Sequence, residues 1–316
     1  MSLLFKRLLQ GLAVLLVALA CFAAWLSWPA GPISVVASAS ATVPTADPMQ
    51  VERGRYLAIL GNCQACHTAR GGAAYAGGRG IATPFGTVYS SNLTPSPTGL
   101  GAWSADDFWR ALHFGQSRDG HWLYPAFPFT NTTHIARVDS DALYAYLHSL
   151  APQNSAPVAH ALRWPFNTQA ALKLWRVLYF QEGSGAAVFA ADATTNDHAE
   201  VARGAYVVRG LAHCGACHAP RNALGATDNA QTLVGGLIPV QNWYAPSLTH
   251  PSEAGLQDWT TDEIVALLET GRARNAMVTG PMADVVQYSM QHWKADDLRA
   301  VAAYLKQLPR DRKSVV

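Results

Sequence analysis

The chain has 316 residues, 23 Lys and Arg against 21 Asp and Glu, a formal net charge of +2 and a charged fraction of only 14%. That length allows two domains of ordinary size, and so small a basic excess argues against nucleic acid, which needs a concentrated basic face. The low charged fraction fits small modules wrapped around a large apolar cofactor, although an N-terminal apolar run accounts for part of it.

That run extends from Leu8 to Trp28 without a charge and follows Lys6 and Arg7. It matches the ~20 residues that span a bilayer, and the preceding cations keep the N-terminus cytoplasmic. Residues 1–29 are therefore expected to be a transmembrane anchor that leaves the rest of the chain exported. A cleaved signal sequence is the alternative, with Ala37-Ser38-Ala39 or Ala39-Ser40-Ala41 as cleavage motifs; the length of the run and Trp25 and Trp28 at its end favour the anchor. Cys21 ends a lipoprotein-like Leu19-Ala20-Cys21, but Phe22 to Trp28 stay apolar, so it reads as a small apolar residue. Residues 30–50, rich in Ala, Ser, Pro, Val and Thr, read as a flexible tether.

A first module is expected over residues 51–151. Glu52 to Leu57 lead as a helix into Cys63-Gln64-Ala65-Cys66-His67. Two thiols one helical turn apart can add to the two vinyl groups of one haem, and the adjacent imidazole then sits under the iron, which makes Cys-x-x-Cys-His the c-type haem attachment pattern. Gly71-Gly72 and Gly77-Gly78 form a loop expected to pass the haem edge, followed by Ser91-Asn92-Leu93-Thr94. Helices are expected to start near Trp103-Ser104, with Ser104 as N-cap and Asp107 as its partner, and at Asp141.

Residues 152–197 are too aromatic for a free linker, with Trp164, Phe166, Trp175 and Tyr179. A short helix packing across both modules is expected there, its aromatics serving packing rather than electron passage. Over residues 198–310 the landmarks return in order: Arg203-Gly204-Ala205-Tyr206, then Cys214-Gly215-Ala216-Cys217-His218, Pro246-Ser247-Leu248-Thr249, Trp259-Thr260-Thr261-Asp262, and a last helix from Asp297 to Leu305; residues 311–316 are a tail. The repeat means an internal duplication, and so an all-α fold of tandem helical domains behind the membrane helix. Two distant copies of the motif, each followed by His, disfavour a zinc site, a redox dithiol or a disulfide. The reading is two covalently bound haem c groups, held by Cys63, Cys66, Cys214 and Cys217, with His67 and His218 as proximal ligands.

With both modules read, the chain resembles the multihaem cytochrome c subunits of membrane-bound periplasmic dehydrogenases acting on alcohol, gluconate, aldehyde and N-heterocycles. The matching strings are Thr83-Pro84-Phe85-Gly86-Thr87, Leu123-Tyr124-Pro125-Ala126-Phe127-Pro128, Arg203-Gly204-Ala205-Tyr206, His218-Ala219-Pro220-Arg221-Asn222 and Gly280-Pro281-Met282-Ala283. The resemblance implies an electron conduit with no chemistry of its own. It would take electrons from a flavin, quinoprotein or molybdenum catalytic subunit and pass them to quinone or a terminal oxidase, at the cytoplasmic membrane with its haem domains in the periplasm. Many members carry a third haem module; this chain ends shortly after Leu308-Pro309 and is expected to be a two-haem version. A dihaem peroxidase with one open haem and a cytochrome subunit of a haem-copper oxidase are the alternatives.

Each iron needs a distal ligand if it only transfers electrons. Met282, in a loop before the last helix, is expected to serve the second haem, where the resemblance also puts the ligand. No methionine lies between Val51 and Ala151, and Phe127 stands where the family often has one. His134 is then the first candidate for haem one, with His113, read as a solvated helix face, and His121 behind it, and an open iron as the remaining option. Arg70 and Arg221 follow the haem histidines by three residues and are candidates to pair with propionates, Arg221 the stronger.

Overall fold

The computed structural model describes residues 3–35, 47–183, 196–227, 233–274 and 276–310. The candidate cleavage motifs around Ala39 and the tail at 311–316 lie outside them. Helix α1 (Leu3–Ser27) contains a span, Phe5–Ser27, with a mean hydropathy of 2.3 that is nowhere buried in the protein.

The first residues of the expected tether are docked rather than free. The Ile33 amide donates to Gln116 Oε1 (2.8 Å), Gln116 Nε2 donates to the Gly31 carbonyl (3.0 Å), and Arg110 Nε donates to the Ile33 carbonyl (2.8 Å). Gln116 is completely buried, so these bonds satisfy an amide that would otherwise be costly to bury.

In the first half, α2 (Pro48–Leu60) starts on Asp47, whose carboxylate accepts from the Met49 amide, with Pro48 at the first helical position. The short α3 (Cys63–Cys66) follows. Strands β1 (Gly80–Thr83) and β2 (Gly86–Tyr89) pair antiparallel with Ile81 opposite Val88, and β3 (Ala161–Leu162) joins the free edge of β2. Then come α4 (Ala105–Phe114), α5 (Phe129–Thr132) and α6 (Arg137–His148). Ser104 and Asp107 form the expected capping box on α4. The last helix begins four residues before Asp141, because Arg137 pairs with both Asp106 and Asp141 and so fixes the first turn.

Helix α7 (Gln169–Tyr179) is the expected connector helix. It exchanges two hydrogen bonds with Trp122 through Gln169, and Trp175 Nε1 donates to the Leu224 carbonyl of the second half at 2.9 Å. The second half runs through α8 (Asn196–Tyr206), a π-helical turn at Val207–Leu211, α9 (Gly215–His218), the hairpin β4 (Gly236–Ile238) and β5 (Trp243–Ala245), α10 (Thr261–Thr270), the hairpin β6 (Arg272–Ala273) and β7 (Ala276–Met277), α11 (Pro281–Tyr288) and α12 (Ala295–Gln307). Thr260 and Glu263 repeat the capping box on α10.

The fold is mostly helical. The expectation of an all-α chain missed the three small antiparallel sheets among the described residues, whose strands are two to four residues long and too short to show an alternating pattern.

In each half the first and last helices cross at a glycine. A side chain on Gly54 of α2 would overlap the Ala142 carbonyl of α6 and meet Tyr146 Cβ at 2.8 Å; one on Gly204 of α8 would overlap the Ala300 carbonyl of α12 and meet Tyr304 Cβ at 2.8 Å. Only a residue without Cβ lets the backbones approach so closely. Both crossings belong to one hydrophobic cluster that runs through the halves, from Leu57, Leu143 and Leu147 to Val208, Leu298 and Leu305.

Candidate haem attachment sites

Each Cys-x-x-Cys-His follows the end of its half's first long helix at a left-handed residue, Asn62 (φ 48°) before Cys63 and His213 (φ 41°) before Cys214. That single residue reverses the chain into a tight helical turn. Within it His67 N donates to the Cys63 carbonyl and His218 N to the Cys214 carbonyl, both at 3.0 Å. Cysteines three apart on one turn lie on one side, as attachment to one flat porphyrin requires. Cys63 and Cys214 are half-buried; Cys66 and Cys217 open to solvent. Burial pushes the Cys63 and Cys214 thiols up to about 12, so they are neutral before attachment; as thioethers they cease to titrate.

The imidazoles are aimed. His67 Nδ1 lies 2.7 Å from the Ser91 carbonyl and His218 Nδ1 2.8 Å from the Pro246 carbonyl. A carbonyl only accepts, so Nδ1 carries the proton in each ring and Nε2 presents its lone pair, the arrangement that fixes a metal-bound histidine. Burial holds both rings below the usual histidine range and so neutral. The residues present therefore fit haem iron: two thiols on one side of a turn, and beside them a neutral imidazole with its outer nitrogen already satisfied. The surrounding loop repeats as well. Gly77 N donates to His67 O and Gly235 N to His218 O, while Leu93 N donates to Tyr75 O and Leu248 N to Leu233 O.

The two sites face one another. His213 Nε2 lies 3.4 Å from the Gly61 carbonyl, two residues before Cys63. Burial raises the Cys217 thiol, against the opposing charge of Arg221. Two tyrosines clamp the junction. Tyr56 of α2 donates to Asp297 of α12 (2.7 Å), and Tyr206 of α8 donates to Asp139 of α6 (2.6 Å). Each carboxylate also holds an arginine of its own half, Arg53 Nε on Asp139 at 2.8 Å and Arg203 Nε on Asp297 at 2.7 Å. Sequence reasoning placed these tyrosines on the lead helices and missed their partners, although the repeated Arg-Gly-x-Tyr was in view.

Met282 sits in the first turn of α11 and packs against the core, with Trp243 beneath the preceding Gly280. Phe127 packs against the core of the first half. His134 lies at the junction, where a Cβ on Gly183 would be 2.5 Å from its Nδ1 and one on Gly210 3.5 Å from its Cβ. His113, expected on a solvated face, is instead 6% exposed; its ring stacks on Trp109 at 4.3 Å, and its Nε2 lies 3.3 Å from Glu182 Oε1. The connector covers that face of α4, which the sequence of the helix alone did not show. His121 is exposed and pairs with Asp119 at 2.5 Å. Arg221 donates to the Ala216 and Gly225 carbonyls and ties the loop behind His218, while Arg70 is exposed.

Comparison with known proteins gives the family. The cytochrome c family profile matches residues 201–309. The chain is 41% identical to the alcohol dehydrogenase (quinone) cytochrome c subunit of Gluconobacter oxydans over 88% of its own length and 58% of that protein's. It is 39% identical to the gluconate 2-dehydrogenase cytochrome c subunit of Pantoea cypripedii, over 82% of this chain and 59% of that one. It thus spans under two thirds of the length of these relatives. A diheme cytochrome c-type protein of Cereibacter sphaeroides is 35% identical over 82% of this chain and 86% of its own length. By these matches and by its attachment sites, the chain belongs to the family of haem c proteins that includes the dehydrogenase cytochrome c subunits.

Proposed function

We propose that this chain is a membrane-anchored dihaem cytochrome that relays electrons from the catalytic subunit of a periplasmic dehydrogenase to quinone or a terminal oxidase. The observation that carries it is the duplication of the whole attachment geometry, down to the carbonyl behind each proximal histidine, in a chain whose relatives are named as dehydrogenase cytochrome subunits. Haem c supplies one-electron iron chemistry when bound. The protein holds it with Cys63, Cys66 and His67 in a domain at residues 51–151, and with Cys214, Cys217 and His218 in a domain at residues 198–310. The junction at Gly61 and His213 brings the two attachment segments within hydrogen-bonding distance, as a relay needs. Arg221 is the proposed propionate partner of the second haem.

Met282 is the proposed distal ligand of the second haem and His134 that of the first. An open first iron is the second reading, since His134 already packs against Gly183 and Gly210. α1 is the proposed anchor in the cytoplasmic membrane, with both domains on the periplasmic side.

Haem stoichiometry tests the proposal. Protein matured in a host that attaches haem c is expected to carry two acid-acetone-resistant haems per chain, and Cys63→Ala with Cys66→Ala to carry one. A single haem in the parent chain would overturn the relay.

A further inference from the structure

Helix α7 turns an apolar face outward. Leu174, Val177 and Leu178 stand at i, i+3 and i+4 and are 38%, 65% and 58% exposed. The rest of the helix is engaged. Leu172 is buried, Trp175 is held by Leu224, and the Arg176 guanidinium lies over the rings of Trp122 and Phe180 at 4.0 and 4.4 Å. The outward aliphatic stripe therefore has no partner among the described residues.

Its place in the fold says what covers it. Lys173, on the same helix, donates to the Trp25 carbonyl at 2.5 Å, reaches the Trp28 carbonyl at 3.4 Å, and sits 4.3 Å over the Trp25 ring. α7 is thus fastened to the final turn of α1. A helix that spans a bilayer brings its final turn to the headgroup level, and whatever is fastened there lies at that level too. Trp28, just past the end of α1, and Trp164, shortly ahead of α7, are 74% and 79% exposed; tryptophan favours the boundary between acyl chains and water. A protein-docking surface would be expected to centre on aromatic or arginine anchors, whereas here the aromatics and Arg176 turn inward and the outward face is aliphatic.

We propose that α7 is an interfacial membrane helix, lying on the same phospholipid surface that α1 crosses, with Leu174, Val177 and Leu178 entering the acyl boundary. This rests on the reading of α1 as an anchor. Amphipathic helices of this kind bury their apolar face ~5–10 Å into the boundary. The consequence is attachment at two points, which fixes the orientation of both haem domains against the bilayer as well as their distance from it.

The test uses the full haem-loaded chain carrying Cys21→Ala, so that the attachment cysteines are consumed and a single introduced cysteine takes a nitroxide label. Val177→Cys is compared with Val14→Cys in the middle of α1 and with Glu269→Cys on the exposed face of α10, in vesicles of phosphatidylethanolamine and phosphatidylglycerol. Collision with oxygen, which concentrates in lipid, is set against collision with a water-soluble nickel chelate. The oxygen-to-chelate ratio at position 177 is expected to exceed that at 269 several-fold and to approach that at 14. A lipid signature at 14 with a water signature at 177 would overturn the interfacial helix and leave the anchor standing. A water signature at both would remove the anchor and this inference with it. Water exposure at 177 that disappears only when a dehydrogenase catalytic subunit binds would assign the face to that subunit and equally overturn the proposal.

Discussion

Tyr206 donates its hydroxyl proton to Asp139 across the junction of the two halves at 2.6 Å, and the same hydroxyl accepts from the Ala136 amide at 3.0 Å. Tyr56 does the same in the other direction, donating to Asp297 and accepting from the Lys294 amide. The clamp is reciprocal, so each half supplies one tyrosine and one carboxylate. Removing one hydroxyl leaves its carboxylate bonded to arginine. Tyr206→Phe is expected to cost ~1.5–3 kcal/mol, the range for a bond to a charged group, and Tyr56→Phe a similar amount, with haem spectra unchanged. Urea titration followed by circular dichroism measures both.

The clamp also has an acid limit. Burial raises the Asp297 carboxyl, but the bonds from Arg203 and Tyr56 outweigh it and hold the group below its usual range. A carboxylate with a depressed folded value contributes stability above its unfolded value, near 4, and loses that contribution as the pH falls through the folded value. Thermal stability is therefore expected to fall below about pH 4, and less steeply in Asp297→Asn, which is already weakened at neutral pH. Equal pH slopes in the two proteins would deny Asp297 this role.

The helix crossings give a matched pair of tests. Gly54→Ala drives a methyl group into the Ala142 carbonyl, and Gly204→Ala does the same at Ala300. Backbone is on the receiving side, so the helices must separate, and each change is expected to destabilise by more than the ~1–3 kcal/mol usual for overpacking. The measurement is the yield of haem-loaded protein extracted in detergent and its denaturation midpoint. Gly11→Ala, which meets nothing within 4 Å, serves as the neutral control.

Carbon monoxide decides the first distal position. With His134 and Met282 as the distal ligands neither iron is open, so the reduced protein is expected to bind little carbon monoxide and His134→Ala to bind it at the first haem. Met282→Ala is expected to open the second and to lower its potential, since methionine ligation raises it. Carbon monoxide binding by the parent chain at one haem would leave the first iron open and remove His134 as its ligand.

The candidate attachment segments stood out in the sequence because Cys-x-x-Cys-His is local chemistry, confined to five residues, and because the landmarks around it recur in the same order in the second half. The helix at Ala105 was legible from its cap, Ser104 with Asp107. What the sequence withheld depends on residues far apart. Ser91 and Pro246 stood in recognised landmarks, yet their task, a backbone carbonyl behind each proximal imidazole, leaves no trace in side-chain identity. The burial of His113 comes from Glu182 and the connector, some seventy residues on, and the docking of Gly31 to Ile33 depends on Gln116, which by itself looks like any polar residue after a helix.

That docking has a mechanical meaning. A carrier hung from a loose strap sweeps a volume that grows with the strap, and its encounters are limited by how often it swings into range. Gln116 and Arg110 grip the strap within a few residues of the anchor, ahead of residues 36–46. With α1 as the proposed anchor, a buried glutamine would set the height of the first domain above the bilayer, and lengthening residues 36–46 should leave that height where it is.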